Sequence, residues 1–427
     1  MIDSSLEAVR AMIADTPVFD IHTHLGNQGS RQARTLAELV GYHWLRMEHV
    51  RAGAQVEPED SSADPEAHMR AVLPFMPAVA TTATHACFLH ALRGLYGFDE
   101  RMLTAQNWRA LDAAVRAKAA DPAWVATVLD KARVRKLLVA SRDGCPQASG
   151  PFVPYDYAEL AFSPVYLKRL RDVFRKRKLT LNSYEDIRQM FRRNVAGLRE
   201  RGGRALHVWV HEDWHYTAEA PTEAEADALC QKVFADAPLS AGEQNALINY
   251  GARFVAEEAA AHNLTVQLFH GMQSYFDSYR QGMASHWDPA WLRALPAYAQ
   301  AHPRTRFDVF LATRIPSHEA ASLARTSNNL SVSGAWWHGF TPSTLIEFYR
   351  DRFELLPNTC WSAFFSDAYT VEWIYAKVWM AKECLARTLA ALIADGLLVE
   401  ADVPVIARRV LYENALAYYD LPPDPGI

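Results

Sequence analysis

The sequence has no C-x-x-C cysteine pair, no long basic stripe and no run of about 18 apolar residues, and each lack removes a class of protein. Its five cysteines, Cys87, Cys145, Cys230, Cys360 and Cys384, are scattered. That argues against a zinc ribbon or a disulfide framework and makes a reduced, cytoplasmic setting the expectation. Without a long apolar run, no membrane partner is expected. The start, MIDSSLEAVRAMIADTPVFD, has no cationic segment followed by an apolar stretch, so it does not read as a secretory signal. The net charge of −5 is small for 427 residues, and Lys and Arg are spread along the chain. Nucleic acid is therefore not an expected partner.

What is present is a succession of short β-rich runs separated by longer helical stretches, the pattern of parallel strands joined by crossover helices. The runs are VFDIHTH from Val18, RKLLVAS from Arg135, YAELAFS from Tyr157, RALHVWV from Arg204, LTVQLFH from Leu264, RTRFDVFLA from Arg304, NLSVSGAWW from Asn329 and WSAFFSD from Trp361. Eight parallel strands of this apolar character predict an α/β fold, a (β/α)8 TIM barrel. The long stretch between the first two runs contains QNWRALDAAVRAKAADPAWVATVLDKARV, at helical spacing, and predicts a helical insertion after the first strand. Residues 1–24 and 133–420 are expected to form the barrel, 25–132 the insertion and 421–427 a disordered or surface-lying tail. Within the insertion, GAQVEPEDSSADPEA reads as an exposed loop.

His22 and His24 flank Thr23 at the C-terminal end of the first run. Side chains two apart on a strand share a face, so the two imidazoles can converge on one ion at the rim where barrel enzymes place their chemistry. Asp367 ends the last run. In a closed barrel that run lies beside the first, which would bring the carboxylate to both imidazoles. Alone, Asp367 reads as an N-cap for a helix starting near Val371. Two histidines and one aspartate leave an open position, as a catalytic divalent metal requires. Zinc, manganese, iron and nickel all accept such ligands, and Zn2+, one per chain, is the commonest choice. His270, at the end of LTVQLFH, is a further candidate ligand or substrate contact, or a strand-end histidine bonded to a carbonyl. His211, with Glu212 and His215, follows the fourth run and is a candidate for the mouth of the site.

These residues resemble those of the uronate isomerases, a divergent branch of the metal-dependent amidohydrolase superfamily. VFDIHTHL is similar to that family's opening metal motif, GYHWLR (Gly41 to Arg46) to its GDHYLWR element, SVSGAWW to its paired-tryptophan segment and FFSDAYTVEW to its closing segment. Weaker similarity, as in SYEDIRQMFRRNVAGLRERGGRA, extends over most of the chain. The resemblance implies aldose-ketose isomerisation of a uronate or related sugar acid. Asp367 would bind the metal and move a proton between sugar carbons. The ion, or a donor such as His43, would steady the developing enediolate, and Trp336 and Trp337 would pack the sugar. Two substrate-binding arginines of the family are replaced, by Ser163 in AFSPV and by Tyr369. Arg142 and Arg314, after the second and sixth runs, are candidates to take over the substrate anion, the alternative being ordinary loop arginines in surface ion pairs.

The same ligand set also suits a hydrolase or decarboxylase using metal-bound water. A third reading is a non-catalytic protein that binds a sugar acid or a metal. A homo-oligomer is compatible with the sequence, which does not fix the oligomeric state.

Overall fold

Seven runs rich in Val, Ile, Leu and Phe become the strands Val18–Thr23 (β1), Val134–Ala140 (β2), Phe152–Tyr157 (β3), Ala205–Trp209 (β4), Thr265–His270 (β5), Arg306–Leu311 (β6) and Leu330–Val332 (β7). In this computed structural model, residues 2–27, 29–143, 145–158, 163–178, 181, 183–210, 214–272 and 288–424 are described. The strands form one curled sheet in the order β1 to β7, every neighbouring pair parallel. Among the described residues an α-helix follows each strand except β2, which leads to β3 through a short 3-10 turn, and β1, β5 and β7 are buried along their whole length, as strands covered on both faces must be.

Two expected strands differ from the structure. The third lies earlier than YAELAFS: β3 is FVPYDY, and only its last residue, Tyr157, belongs to the expected run. Pro154 and Asp156 disguise β3, because neither residue favours strands. Residues 159–162 lie outside the described residues, and Ser163 caps the helix Pro164–Lys176.

The eighth run, WSAFFSD, is not a strand. It still touches both edges of the sheet through single backbone bonds: Gly334 N–H donates to Ser362 O at 2.9 Å, Asp367 N–H to His22 O at 3.0 Å and His24 N–H to Ala368 O at 3.0 Å. Asp367 has φ +52°, a left-handed conformation that a regular ladder does not accommodate but that Asp adopts more readily than most residues.

Between β1 and β2 the chain forms helices, among them His43–Ala52, Pro65–Val72, Ala83–Tyr96, Trp108–Ala119 and Trp124–Lys131. Their buried apolar residues are continuous with the core around the sheet. Part of the expected loop is helical: Asp64 accepts from Ala67 N–H at 2.9 Å and Pro65 opens the helix, a capped start hidden in a polar stretch. Two of these helices, Ala83–Tyr96 and Trp124–Lys131, rest on Val371–Ala394, a 24-residue helix. No single helix among the described residues is long and apolar enough to cross a membrane.

His49 and His68, on two of these helices, are buried. Burial pushes both down to about 4; for His49 the neighbouring His68 and His85 add to this, and for His68 Asp60 opposes it. An unfolded chain takes up protons below about 6.5, while the folded chain refuses them until about 4. Stability is therefore fully present above pH 6.5 and lost as pH falls towards 4, by roughly 3 kcal/mol for each imidazole. Denaturant midpoints measured across that window should fall steeply, and His49→Leu with His68→Leu should flatten the slope. An unchanged slope would refute this origin of acid sensitivity.

Candidate metal centre and cavity

The three residues from opposite ends of the sequence meet. One ligand atom each from His22, His24 and Asp367 lies within 4.8 Å of the others. Asp367 Oδ1 is 3.2 Å from His24 Nε2 and 3.9 Å from His22 Nε2. The far side of each imidazole is engaged by the protein: His22 Nδ1 by Gln267 Oε1 at 3.0 Å, His24 Nδ1 by Tyr157 Oη at 3.0 Å and Asp143 at 3.5 Å. Both Nε2 atoms therefore face the carboxylate. Such an arrangement of two nitrogens and one oxygen fits a divalent cation with open positions.

Strand periodicity explains the convergence. Asp20, His22 and, beyond the strand end, His24 share one face of β1, as do Tyr155 and Tyr157 on β3, His207 and Trp209 on β4, and Gln267 and Phe269 on β5. The His22 ring packs against Tyr155, His207 and Phe269, with centroids 4.6, 5.1 and 4.5 Å away. His270 is out of phase with Gln267 and Phe269. It stacks on Trp291 at 4.0 Å, and it is not part of the three-residue group.

The Asp367 segment is clamped on several sides. Trp336 Nε1–H donates to Asp367 Oδ2 at 3.1 Å, leaving Oδ1 towards the imidazoles. Lys377, buried on the helix Val371–Ala394, donates to Ser366 O at 2.6 Å and to Tyr42 Oη at 2.8 Å. The Asp20 carboxylate accepts from Ser366 N–H at 2.8 Å.

The electrostatics follow from this burial. Burial, reinforced by the charge of His24, lowers His22 to about 3. Burial would also lower His24, but hydrogen bonds to Asp143 and Asp367 outweigh it and raise that group to about 9. Burial would raise Asp367, but the His24 hydrogen bond and the charges of His24, His22 and Lys377 hold it well below the usual carboxylate range. Burial alone brings Lys377 down to about 8 against the pull of Asp367.

The cluster opens into a cavity of about 820 Å³ whose lining includes Arg142, Tyr157, His207, Trp336, Trp337 and Tyr369. Arg142 lies with its guanidinium carbon 3.5 Å from the centroid of the Tyr157 ring. Trp337 stands at φ +42°, a strained backbone for a bulky residue, in the wall between this cavity and a second one. His43 is buried behind that wall, its ring 4.8 Å from Tyr369 and 5.0 Å from Trp337, and burial keeps it neutral by pushing it far below its ordinary value.

Other expected contacts lie elsewhere. Arg314 pairs with Glu347 at 3.2 Å and is not among the lining residues. Ser163 accepts from Val165 N–H as a helix cap. His211 and Glu212 lie outside the described residues, and His215 is exposed beside Asp288 at 3.4 Å. Sequence reasoning missed Tyr155, Tyr157, His207, Gln267, Asp143 and Lys377. Three of these, His207, Gln267 and Lys377, left one signal, a polar side chain interrupting an apolar run, as in ALHVW, TVQLFH and WIYAKVWM.

The fold matches solved structures whose sequences are far removed. A uronate isomerase from Bacillus halodurans superposes with TM-score 0.77 at 19% identity, over 99% of this chain and 97% of that one. A glucuronate isomerase from Caulobacter crescentus gives 0.83 at 15%, over 100% and 95%. A Lactobacillus casei protein named as a metal-dependent hydrolase gives 0.62 at 15%, over 96% and 97%. No protein-family model and no curated protein matches the sequence. The chain thus has a uronate isomerase-like fold, and at these identities the likeness concerns the fold alone.

Proposed function

We propose that this protein is a metal-dependent isomerase on a (β/α)8-type barrel, with the segment 361–368 in the eighth position, converting aldose and ketose forms of a uronate or related sugar acid. The observation that carries the reading is the convergence of His22 Nε2, His24 Nε2 and Asp367 Oδ1 at the mouth of a cavity large enough for a sugar acid. A divalent cation held there, zinc being the first choice, would supply polarisation of the sugar's carbonyl and hydroxyl oxygens.

Asp367 is the group that moves the carbon-bound proton from C2 of the aldose to C1 of the ketose. Against burial, the His24 hydrogen bond, and after it the His24 charge, hold the Asp367 carboxylate ionised, the form that can take up a proton. Tyr157 and Tyr369 place phenol groups on the cavity wall, where a hydroxyl proton has to pass between O2 and O1 of the sugar. Trp336 holds the carboxylate, and Trp337 offers an apolar face to the sugar. His43, neutral and buried behind Tyr369 and Trp337, supports the enediolate side of the pocket.

For the substrate carboxylate, Arg142 is the better placed of the two candidate arginines, because it lines the cavity, with Asp143 3.9 Å away, while Arg314 does not line it and pairs with Glu347. Arg142→Ala should raise KM for an acidic substrate about 10- to 100-fold, the worth of a charge-assisted hydrogen bond, with kcat changed far less. Arg314→Ala should leave both unchanged. Equal KM values for Arg142→Ala and the parent would remove Arg142 from the pocket's function.

Metal-loaded protein should interconvert uronates and incorporate solvent deuterium at carbon. A second reading, hydrolysis by metal-bound water, is favoured by Ser163 and Tyr369 standing where the family has arginines. Lactone opening without carbon-bound exchange would establish it over the first. No turnover of uronates, aldonates or lactones by fully loaded protein would sink both.

A further inference from the structure

We propose that Gln267, Tyr419 and Asp308 are positioning residues that dictate which nitrogen of His22 carries its proton, leaving Nε2 bare for a cation. The inference rests on the reading of His22 as a metal ligand.

Proton counting across the floor of the site leads to it. The Ile21 carbonyl oxygen only accepts, so the Gln267 atom 2.7 Å from it must be the amide nitrogen. The second hydrogen of that nitrogen goes to Tyr419 Oη at 2.9 Å, and the Tyr419 hydroxyl donates onward to Asp308 Oδ2 at 2.7 Å. The amide cannot be turned over without setting its oxygen against the Ile21 carbonyl. Gln267 Oε1 is therefore the atom 3.0 Å from His22 Nδ1. Two acceptors do not bond, so Nδ1 bears the hydrogen. A neutral imidazole has only one, and the lone pair is left on Nε2, the nitrogen that lies 3.9 Å from Asp367 Oδ1 and 3.3 Å from Tyr155 Oη, whose own hydrogen goes to Thr23 O at 3.1 Å.

The fold builds this relay from separate pieces. Gln267 and Asp308 are register partners on β5 and β6. Tyr419 follows the helix Asn414–Tyr418 and is held there by its neighbour, because Tyr418 Oη–H bonds Phe307 O at 2.7 Å and is 3.1 Å from Asn329 O. Gln267, Asp308 and Tyr419 are all buried. The metal ligand thus takes its protonation pattern from the last described part of the chain.

Two measurements test this. In metal-free protein labelled with 15N-histidine, long-range proton-nitrogen correlations should show the His22 hydrogen on Nδ1. Gln267→Leu should move part of the population to the other tautomer and raise the Kd for Zn2+ about 10- to 100-fold, the usual effect of removing a partner of a ligand imidazole. Should Gln267→Leu not fold, Tyr419→Phe carries the same test, with an expected rise at the lower end, about 10-fold. A hydrogen found on Nε2 of the parent, or a folded variant with parental Kd and parental tautomer, would overturn the inference. A parent with the hydrogen on Nδ1 that takes up no metal would instead defeat the metal reading while leaving the tautomer assignment standing.

Discussion

Asp367→Asn is expected to lower kcat on a sugar-acid substrate by roughly 10³-fold even when the variant is saturated with metal, within the usual range for loss of a general base. The substitution keeps the size of the side chain, and an amide oxygen can still accept from Trp336. It removes the negative charge from a site where Oδ1 lies 3.2 Å from one imidazole nitrogen and 3.9 Å from another. Metal affinity should fall as well, so metal content has to be determined on the same sample. Turnover within tenfold of the parent at full occupancy would show that the proton moves by another route.

Glu372→Leu should cost stability on the order of 3–9 kcal/mol, taking about 1–3 kcal/mol for each of the three donors left without an acceptor. The fully buried Glu372 carboxylate accepts from Trp124 Nε1–H at 2.9 Å, Tyr96 Oη–H at 3.1 Å and Ala33 N–H at 3.2 Å. All three donors lie in the stretch between β1 and β2, while Glu372 begins the long helix just after Asp367. The damage should be regional. Amide exchange in residues 25–132 should accelerate more than in β4 to β6, and the denaturant midpoint should drop. Glu372→Gln, which keeps one acceptor oxygen, should fall between. Equal stability of Glu372→Leu and the parent would mean that these contacts are replaced by water at little cost.

The convergence of His22, His24 and Asp367 was legible in the sequence because its logic is local: an i, i+2 pair of histidines at the end of an apolar strand and an aspartate at the end of the last run. The parallel α/β character was legible for the same reason, since β1, β2, β4, β5, β6 and β7 are marked by short apolar runs. β3 was not, because Pro154 and Asp156 are tolerated there by tertiary packing that no local pattern records. With β3 misplaced, Tyr155 and Tyr157 were lost from view. Asp367 was expected to end a strand, but it has a positive φ in a segment clamped by Lys377 from the helix that follows and by Tyr42 and Asp20 from distant parts of the sequence. His270 shows the limit of counting to a strand end: one residue of phase decides whether an imidazole meets the cluster or a tryptophan behind the sheet.

The separation of the ligands along the chain has a consequence for synthesis. A nascent polypeptide on the ribosome displays His22 and His24 long before Asp367, and the Tyr419 that reaches Gln267 later still. Until then the emerging protein has two imidazoles and no carboxylate to complete the trio. If the trio holds a cation as proposed, its loading has to wait until Asp367 and Tyr419 have been made and have folded against the strands.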